Sequence, residues 1–266
     1  MRIRNLLLAS ALAGAALMGA SAASASTCIG TCGVLGANGD IVAPPGGTTY
    51  NYVTTSGGQT GAGQISGVGG TNGSEFISDA FSAAVGDDLK FNFAFATSDG
   101  TSSFPDYAFA ELLTGTGDHF AYLFTARTTT SGNTSPGFGL PANDATLNPG
   151  TTPIIAGAPD WAPLGSYSGR CYGAGCGYTG WIGSTYTIAT AGTYKIRFGV
   201  SNYGDSIWDT GLAFNGLKIG DVDIPNPGDP GSAVPEPATW AMMLIGFFGL
   251  GSMVRRGRRQ SALSLA

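Results

Sequence analysis

The strongest pattern along the chain has a period of two. Leu89, Phe91, Phe93 and Phe95 alternate with Lys90, Asn92, Ala94 and Ala96. Tyr194, Ile196, Phe198 and Val200 interleave with Lys195 and Arg197 in the same way. Alternation of this kind puts one set of side chains on each face of a strand. Turn residues separate the runs, at Gly86-Asp87-Asp88, Gly115-Thr116-Gly117-Asp118 and Ala191-Gly192. Further strands are predicted around Phe76 and within Tyr50–Val53, Asp106–Leu113, His119–Thr128 and the closing run Asp209–Ile224. Seven to nine short strands without a fixed repeat predict an all-β ectodomain, an antiparallel β-sandwich of jelly-roll type. Two stretches depart from the pattern. Thr27–Gly73 is rich in Gly, Ser, Thr and Asn and, Tyr50–Val53 apart, is predicted to be loop or irregular edge. Ser131–Ser166 holds many of the prolines. It is long enough that short strands or a functional flap are expected inside it.

The ends follow other rules. Ala238–Val254 carries no charge, and its Met, Leu, Ile and Phe side chains would cover every face of a helix. Such a helix reaches roughly 25 Å, the low end for a bilayer span. Arg255, Arg256, Arg258 and Arg259 follow at once, as the positive-inside rule expects, and Trp240 falls where an interfacial indole belongs. A single transmembrane helix is therefore predicted over about 238–254, with residues 260–266 as a cytoplasmic tail. At the other end, Arg2 and Arg4 precede an apolar run from Leu6 to Met18 and then Ala23-Ser24-Ala25. That order predicts a signal peptide over residues 1–25, cleaved after Ala25. Between these ends lie an ectodomain, 26–223, and a Pro/Gly-rich linker, 224–234.

Composition sharpens the picture. The 266 residues include 44 Gly but only 11% charged residues, and Glu occurs only at 75, 111 and 236. That mix disfavours helix and suits strands joined by glycine turns. Residues 26–234 hold six cationic against sixteen acidic side chains, a balance of −10, which argues against a nucleic-acid partner. Cys28, Cys32, Cys171 and Cys176 all fall in this exported part, where an even count predicts disulfides. The local pairs Cys28–Cys32 and Cys171–Cys176 are the first choice, with the crossed pairings open. The spacings are looser than those of a zinc site, and His119 is the one histidine.

The closing segment can now be read as a unit. Pro235-Glu236-Pro237, then Trp240-Ala241-Met242-Met243, a glycine-bearing apolar span and terminal arginines together resemble a PEP-CTERM sorting signal of the PEPxxWA type, over residues 235–259. The resemblance implies a Gram-negative bacterium that makes exopolysaccharide. It implies passage through the export machinery and cutting near the Pro-Glu-Pro motif by an exosortase, a membrane protease. Transient C-terminal anchoring in the inner membrane would then give way to a final place at the cell surface or in the extracellular matrix. Residues 260–266 extend past the arginines, where many such signals stop. Proline at 235 and 237 favours extended backbone, the form a protease accepts. The runs 91–113 and 199–219 are also similar to the surface β-sandwich domains that often precede such signals. That second resemblance implies an architecture and no ligand.

Candidate chemistry in the body is sparse. Asp205 with Asp209, and Asp99 with Asp106, place acids on glycine-flanked turns where calcium could be held, against the plainer role of capping those turns. Neither stretch is an EF-hand loop. No other cofactor is expected. Tyr172, Tyr178 and Trp181, with Trp161, Trp208 and Tyr167, offer aromatic faces for stacking on sugars, against the plainer role of filling the core. A lone histidine and the lack of a Gly-x-Ser-x-Gly elbow argue against triad hydrolysis. Glu75 and Glu111 are the glutamates available to a two-carboxylate glycosidase. The expectation is a non-enzymatic structural or adhesive protein associated with exopolysaccharide. The alternatives are a secreted glycan hydrolase and a calcium-dependent carbohydrate-binding module.

Overall fold

The computed structural model describes residues 26–225. The predicted signal peptide with Ala23 and Ala25, the sorting residues Pro235, Glu236, Pro237 and Trp240, the arginine cluster and the span 238–254 lie outside these residues. Among the described residues, no helix is long and apolar enough to cross a membrane. Nine strands of six to ten residues carry the fold: Thr31–Gly36 at a sheet edge, and β1 Thr49–Thr54, β2 Asn72–Ile77, β3 Asp88–Thr97, β4 Tyr107–Thr114, β5 His119–Arg127, β6 Ile182–Thr187, β7 Gly192–Ser201 and β8 Thr210–Ile219. They form two antiparallel sheets. One runs in the order β2-β7-β4-β5 and the other β6-β3-β8-β1. Thr31–Gly36, beside β1, and shorter strands extend these to seven and nine strands.

The sheets meet across one apolar core. β3 sends in Leu89, Phe91, Phe93 and Phe95, and β7 sends in Tyr194, Ile196, Phe198 and Val200, as their alternation predicts. Stacked phenylalanines join the two sheets. Phe93 lies 3.7 Å from Phe124 and Phe198 lies 3.8 Å from Phe214, centroid to centroid, with nearly parallel rings. Rings this large need small neighbours at close packing density. β4 supplies two of them by turning Ala108 and Ala110 inward, along with Leu112, and Ala110 is directly opposite Phe198. Its larger residues, Tyr107 and Phe109, therefore face outward. There they are buried by Ile65, from a stretch whose composition predicts loop with little to bury. The outer side of the second sheet is sealed likewise. Ala94, Ala96 and Ala213 lie beneath Trp161 and Leu164, at the short 3-10 helix Ala162–Tyr167. The long Ser131–Ser166 segment thus contains most of that helix and short strands at Thr146–Asn148 and Ile155–Ala156.

A second correction falls in the Gly-rich N-terminal stretch. Thr27–Ile29 pairs with β2 in the first sheet, and Thr31–Gly36 pairs along the whole of β1 in the second. The chain changes sheets at Gly30, and the Cys28–Cys32 disulfide spans the change. Gly30 has φ +82°, and a Cβ there would overlap Ser74 Oγ and lie 2.7 Å from Gly73 O. Ser74 Oγ cannot yield, because it donates to Thr54 O at 2.6 Å and accepts from Thr31 N at 2.8 Å. Gly30→Ala is therefore expected to destabilise the protein by about 2 kcal/mol, from left-handed backbone strain with overlap added. Urea unfolding of the oxidised protein measures it. A loss under about 0.5 kcal/mol, the level of an ordinary surface change, would mean that this crossing adds nothing to stability.

Candidate functional site

The four candidate aspartates lie in and beside the loops that follow β3 and precede β8. Asp106 is fully buried. Its Oδ2 accepts from Thr210 Oγ1 at 2.7 Å and its Oδ1 from Tyr203 N at 2.9 Å. Burial pushes its pKa well above the ordinary carboxylate range, and the nearby charges of Asp99 and Asp205 push the same way. Asp99 is also buried. Its Oδ1 accepts from Thr101 N at 2.9 Å and Thr101 Oγ1 at 3.0 Å, and burial raises its pKa. Asp209 accepts from Thr55 Oγ1 at 3.1 Å and is likewise raised by burial. Asp205 accepts from Ile207 N at 3.2 Å, two residues on. Each acid thus makes local or cross-strand hydrogen bonds. Among the described residues, no three His, Cys, Asp or Glu side chains converge in a metal-binding group.

The aromatic candidates divide. Tyr178 and Trp181 pack beside Tyr50, with the Tyr50 and Trp181 rings 5.6 Å apart and Trp181 Nε1 donating to Val42 O at 2.9 Å. Trp161 is fully buried, its Nε1 donating to Tyr50 Oη at 2.9 Å. Tyr172 behaves differently. It is 47% exposed and stacks on Trp208 at 5.3 Å with 16° between planes, and Tyr167 meets the same indole at 4.7 Å. The Tyr172 backbone is pinned, because its N–H donates to Ser98 O and its carbonyl accepts from Gly100 N. The Cys171–Cys176 disulfide closes its loop, so both local pairings are present. Trp208 has φ +62°, the one non-glycine residue at positive φ among those described. A bulky side chain in that region is strained, and such strain collects at functional positions. The result is a surface cluster of three rings with exposed Ile207 beside it. Each ring is visible in the sequence as a candidate for stacking. Nothing in their spacing shows that these three would meet.

The two glutamates also meet, on the outer side of the first sheet. Arg197 lies between them, with Nη2 2.6 Å from Glu111 Oε2 and Nη1 3.6 Å from Glu75 Oε2. His119, the first residue of β5, places Nδ1 2.6 Å from Glu111 Oε1. Strand register explains the grouping, since Arg197 is directly opposite Glu111 across β7 and β4. The guanidinium occupies the space between the carboxylates, where a glycosidase would place the scissile bond. Arg197 also packs over the Phe109 ring at 5.0 Å, which ties the ion pairs to the outer apolar cluster.

The body is thus an all-β, disulfide-stapled domain whose accessible chemistry is a ring cluster and polar surface. Residues 233–259 match the PEP-CTERM protein-sorting motif. That motif, which contains Pro235, Glu236, Pro237, Trp240 and all four terminal arginines, implies export and exosortase-dependent sorting of the chain that carries it. No curated protein and no solved structure matches the chain.

Proposed function

We propose that this chain is a structural or adhesive protein of the cell surface or exopolysaccharide matrix of a Gram-negative bacterium. The observation that carries the reading is the sorting motif at 233–259. A signal peptide over residues 1–25 starts export. The apolar span 238–254 holds the chain in the inner membrane with its arginines inside, and exosortase cuts near Pro235-Glu236-Pro237. The released part is a jelly-roll ectodomain. The sheet orders β2-β7-β4-β5 and β6-β3-β8-β1 support that class, with non-consecutive strands as neighbours in both antiparallel sheets. Two disulfides suit an oxidising destination. The Tyr167–Tyr172–Trp208 cluster supplies apolar faces on which sugar rings can stack.

Mass spectrometry of the exported protein tests the sorting half of this reading. The expected mature chain begins at Ser26, ends near Glu236, and keeps Cys28–Cys32 and Cys171–Cys176 oxidised. Recovery of the uncut chain with reduced thiols from the cytoplasm would refute it. Tyr172→Ala is expected to weaken retention of the exported protein on the producer's own polysaccharide several-fold, in line with about 1 kcal/mol for removing one aromatic ring from a stack.

A further inference from the structure

An open groove of about 820 Å³ lies on the outer side of the second sheet, beyond the part sealed by Trp161. Its volume is that of a site for several linked rings. The floor consists of two cross-strand rows over β6, β3 and β8. Thr185, Lys90 and Lys218 make one row, and Gly183, Asn92 and Asn215 make the other. Gly183 and Gly216 keep the floor low. A Cβ at Gly183 would meet Asn148 O at 3.4 Å, and Gly216 sits at φ +70° beside the Asn92 amide.

The chemistry of the floor is unusual for this protein. Lys90 and Lys218 are directly opposite one another, an arrangement that like charges disfavour. They are two of only six cationic residues in a body of balance −10. Of the other four, Arg127 is buried and Arg197 is paired with two glutamates. Each lysine has one acidic neighbour, Asp88 for Lys90 and Asp223 for Lys218, both at 3.1 Å. These pairs are solvent-exposed and therefore weak, and an ammonium has three protons to donate. Asn215 donates its amide nitrogen to Thr49 O at 2.7 Å. No hydrogen bond among the described residues takes up the Asn92 amide or the Thr185 hydroxyl. The floor thus combines two ammoniums with amide and hydroxyl groups.

We propose that this groove binds a carboxylate-bearing polysaccharide segment. The opposed lysines take a uronate carboxylate between them, which relieves their mutual repulsion, and Asn92, Asn215 and Thr185 bond to sugar hydroxyls. The proposal depends on the export reading only in placing the groove where such a polymer exists. That reading stands or falls separately, on the mass of the mature chain.

The test is calorimetric titration of the exported protein with alginate and polygalacturonate oligomers, in chelator, and with dextran oligomers as the neutral probe. The uronates are expected to bind at least about tenfold more tightly than dextran. Lys90→Gln with Lys218→Gln is expected to lower uronate affinity about tenfold or more, the scale of removing one charge-assisted hydrogen bond. Both side chains are exposed, so melting should be unaffected, and Asn92→Ala gives a second, uncharged check. Uronates that fail to bind, dextran that binds as well, or a double variant with unchanged affinity would each overturn the proposal. If Tyr172→Ala abolished binding and the lysine variant did not, the ring cluster would be the glycan site and the groove would not.

Discussion

Trp161→Ala is expected to destabilise the protein by about 3–5 kcal/mol, the range for truncating a fully buried large aromatic. Trp161 has no exposed surface. It covers the alanine-lined outer side of β3 and β8, and its ring carbon lies 2.5 Å from where a Cβ on Gly211 would stand. Tyr52 meets it edge-on at 6.0 Å. Truncation leaves a void over Ala94, Ala96 and Ala213 and strands Tyr50 Oη without its donor. The milder Tyr50→Phe removes only the hydrogen bond from Nε1 and is expected to lose about 1 kcal/mol. Denaturant unfolding of both variants separates packing from hydrogen bonding. A Trp161→Ala loss near 1 kcal/mol would mean that the covering segment collapses onto the sheet and the indole is not the seal.

The second large effect is one of pH. Asp106, Asp99 and Asp209 all have pKa values raised in the folded state, and burial is the leading cause in each. A folded pKa above the unfolded one means that the native protein holds protons which the unfolded chain has released. Stability from these groups is therefore fully present below the ordinary carboxylate pKa. It is lost as pH rises through the raised values. The folded protein is expected to melt at higher temperature in mild acid than at neutral pH. Each carboxyl that titrates in that window contributes up to about 1.4 kcal/mol per pH unit. Asp106 is the main contributor, because it is the most strongly raised. When protonated it can donate to Thr210 Oγ1, which in turn reaches Thr97 Oγ1 at 2.7 Å. Asp106→Asn keeps an acceptor for Tyr203 N and a donor for Thr210. It is expected to flatten the pH profile and to match or exceed the native protein at neutral pH. A thermal melt series across pH reads this directly. A variant that melts lower at neutral pH with an unchanged slope would show that Asp106 is ionised in the fold.

Arg127 shows how the same region tolerates a buried cation. Its guanidinium is ringed by Tyr107, Phe138 and Tyr203 at 5.6, 5.3 and 4.8 Å, and it donates to Pro105 O and Phe138 O. Burial lowers its pKa, while the two tyrosines and Asp106 offset that. None of this is visible in the local sequence, where Arg127 merely ends an apolar strand. Its partners come from separate stretches that only the folded chain brings together.

The same contrast runs through the site. The four acids were legible as turn residues, because Asp99 and Asp205 are followed by Gly and Ser and Asp106 and Asp209 close the same glycine-flanked stretches. Their second partners were not, since Thr210 lies 104 residues from Asp106 and Thr55 lies 154 from Asp209. The β3 and β7 alternations announced their core faces. On β4 the alternation of Tyr107 and Phe109 with Ala108 and Ala110 was equally clear, but which face is inner depends on the opposing phenylalanines. Thr31–Gly36 is a poor strand by composition. It exists because β1 offers it a paired edge and a disulfide holds its start.

Neighbouring residues alone set the all-β class, the turn positions and the sorting motif, while the choice of the local disulfide pairs over the crossed ones came from the structure. Each of the former is a short-range property, and a linear motif is defined by the order of its residues without needing a fold. The inner face of β4, the ring cluster around Trp208, the guanidinium between Glu75 and Glu111, and the opposed lysines of the groove arise only in the assembled sheets. All four depend on strand register and on contacts between the sheets, which are set by the packing of residues far apart in the chain.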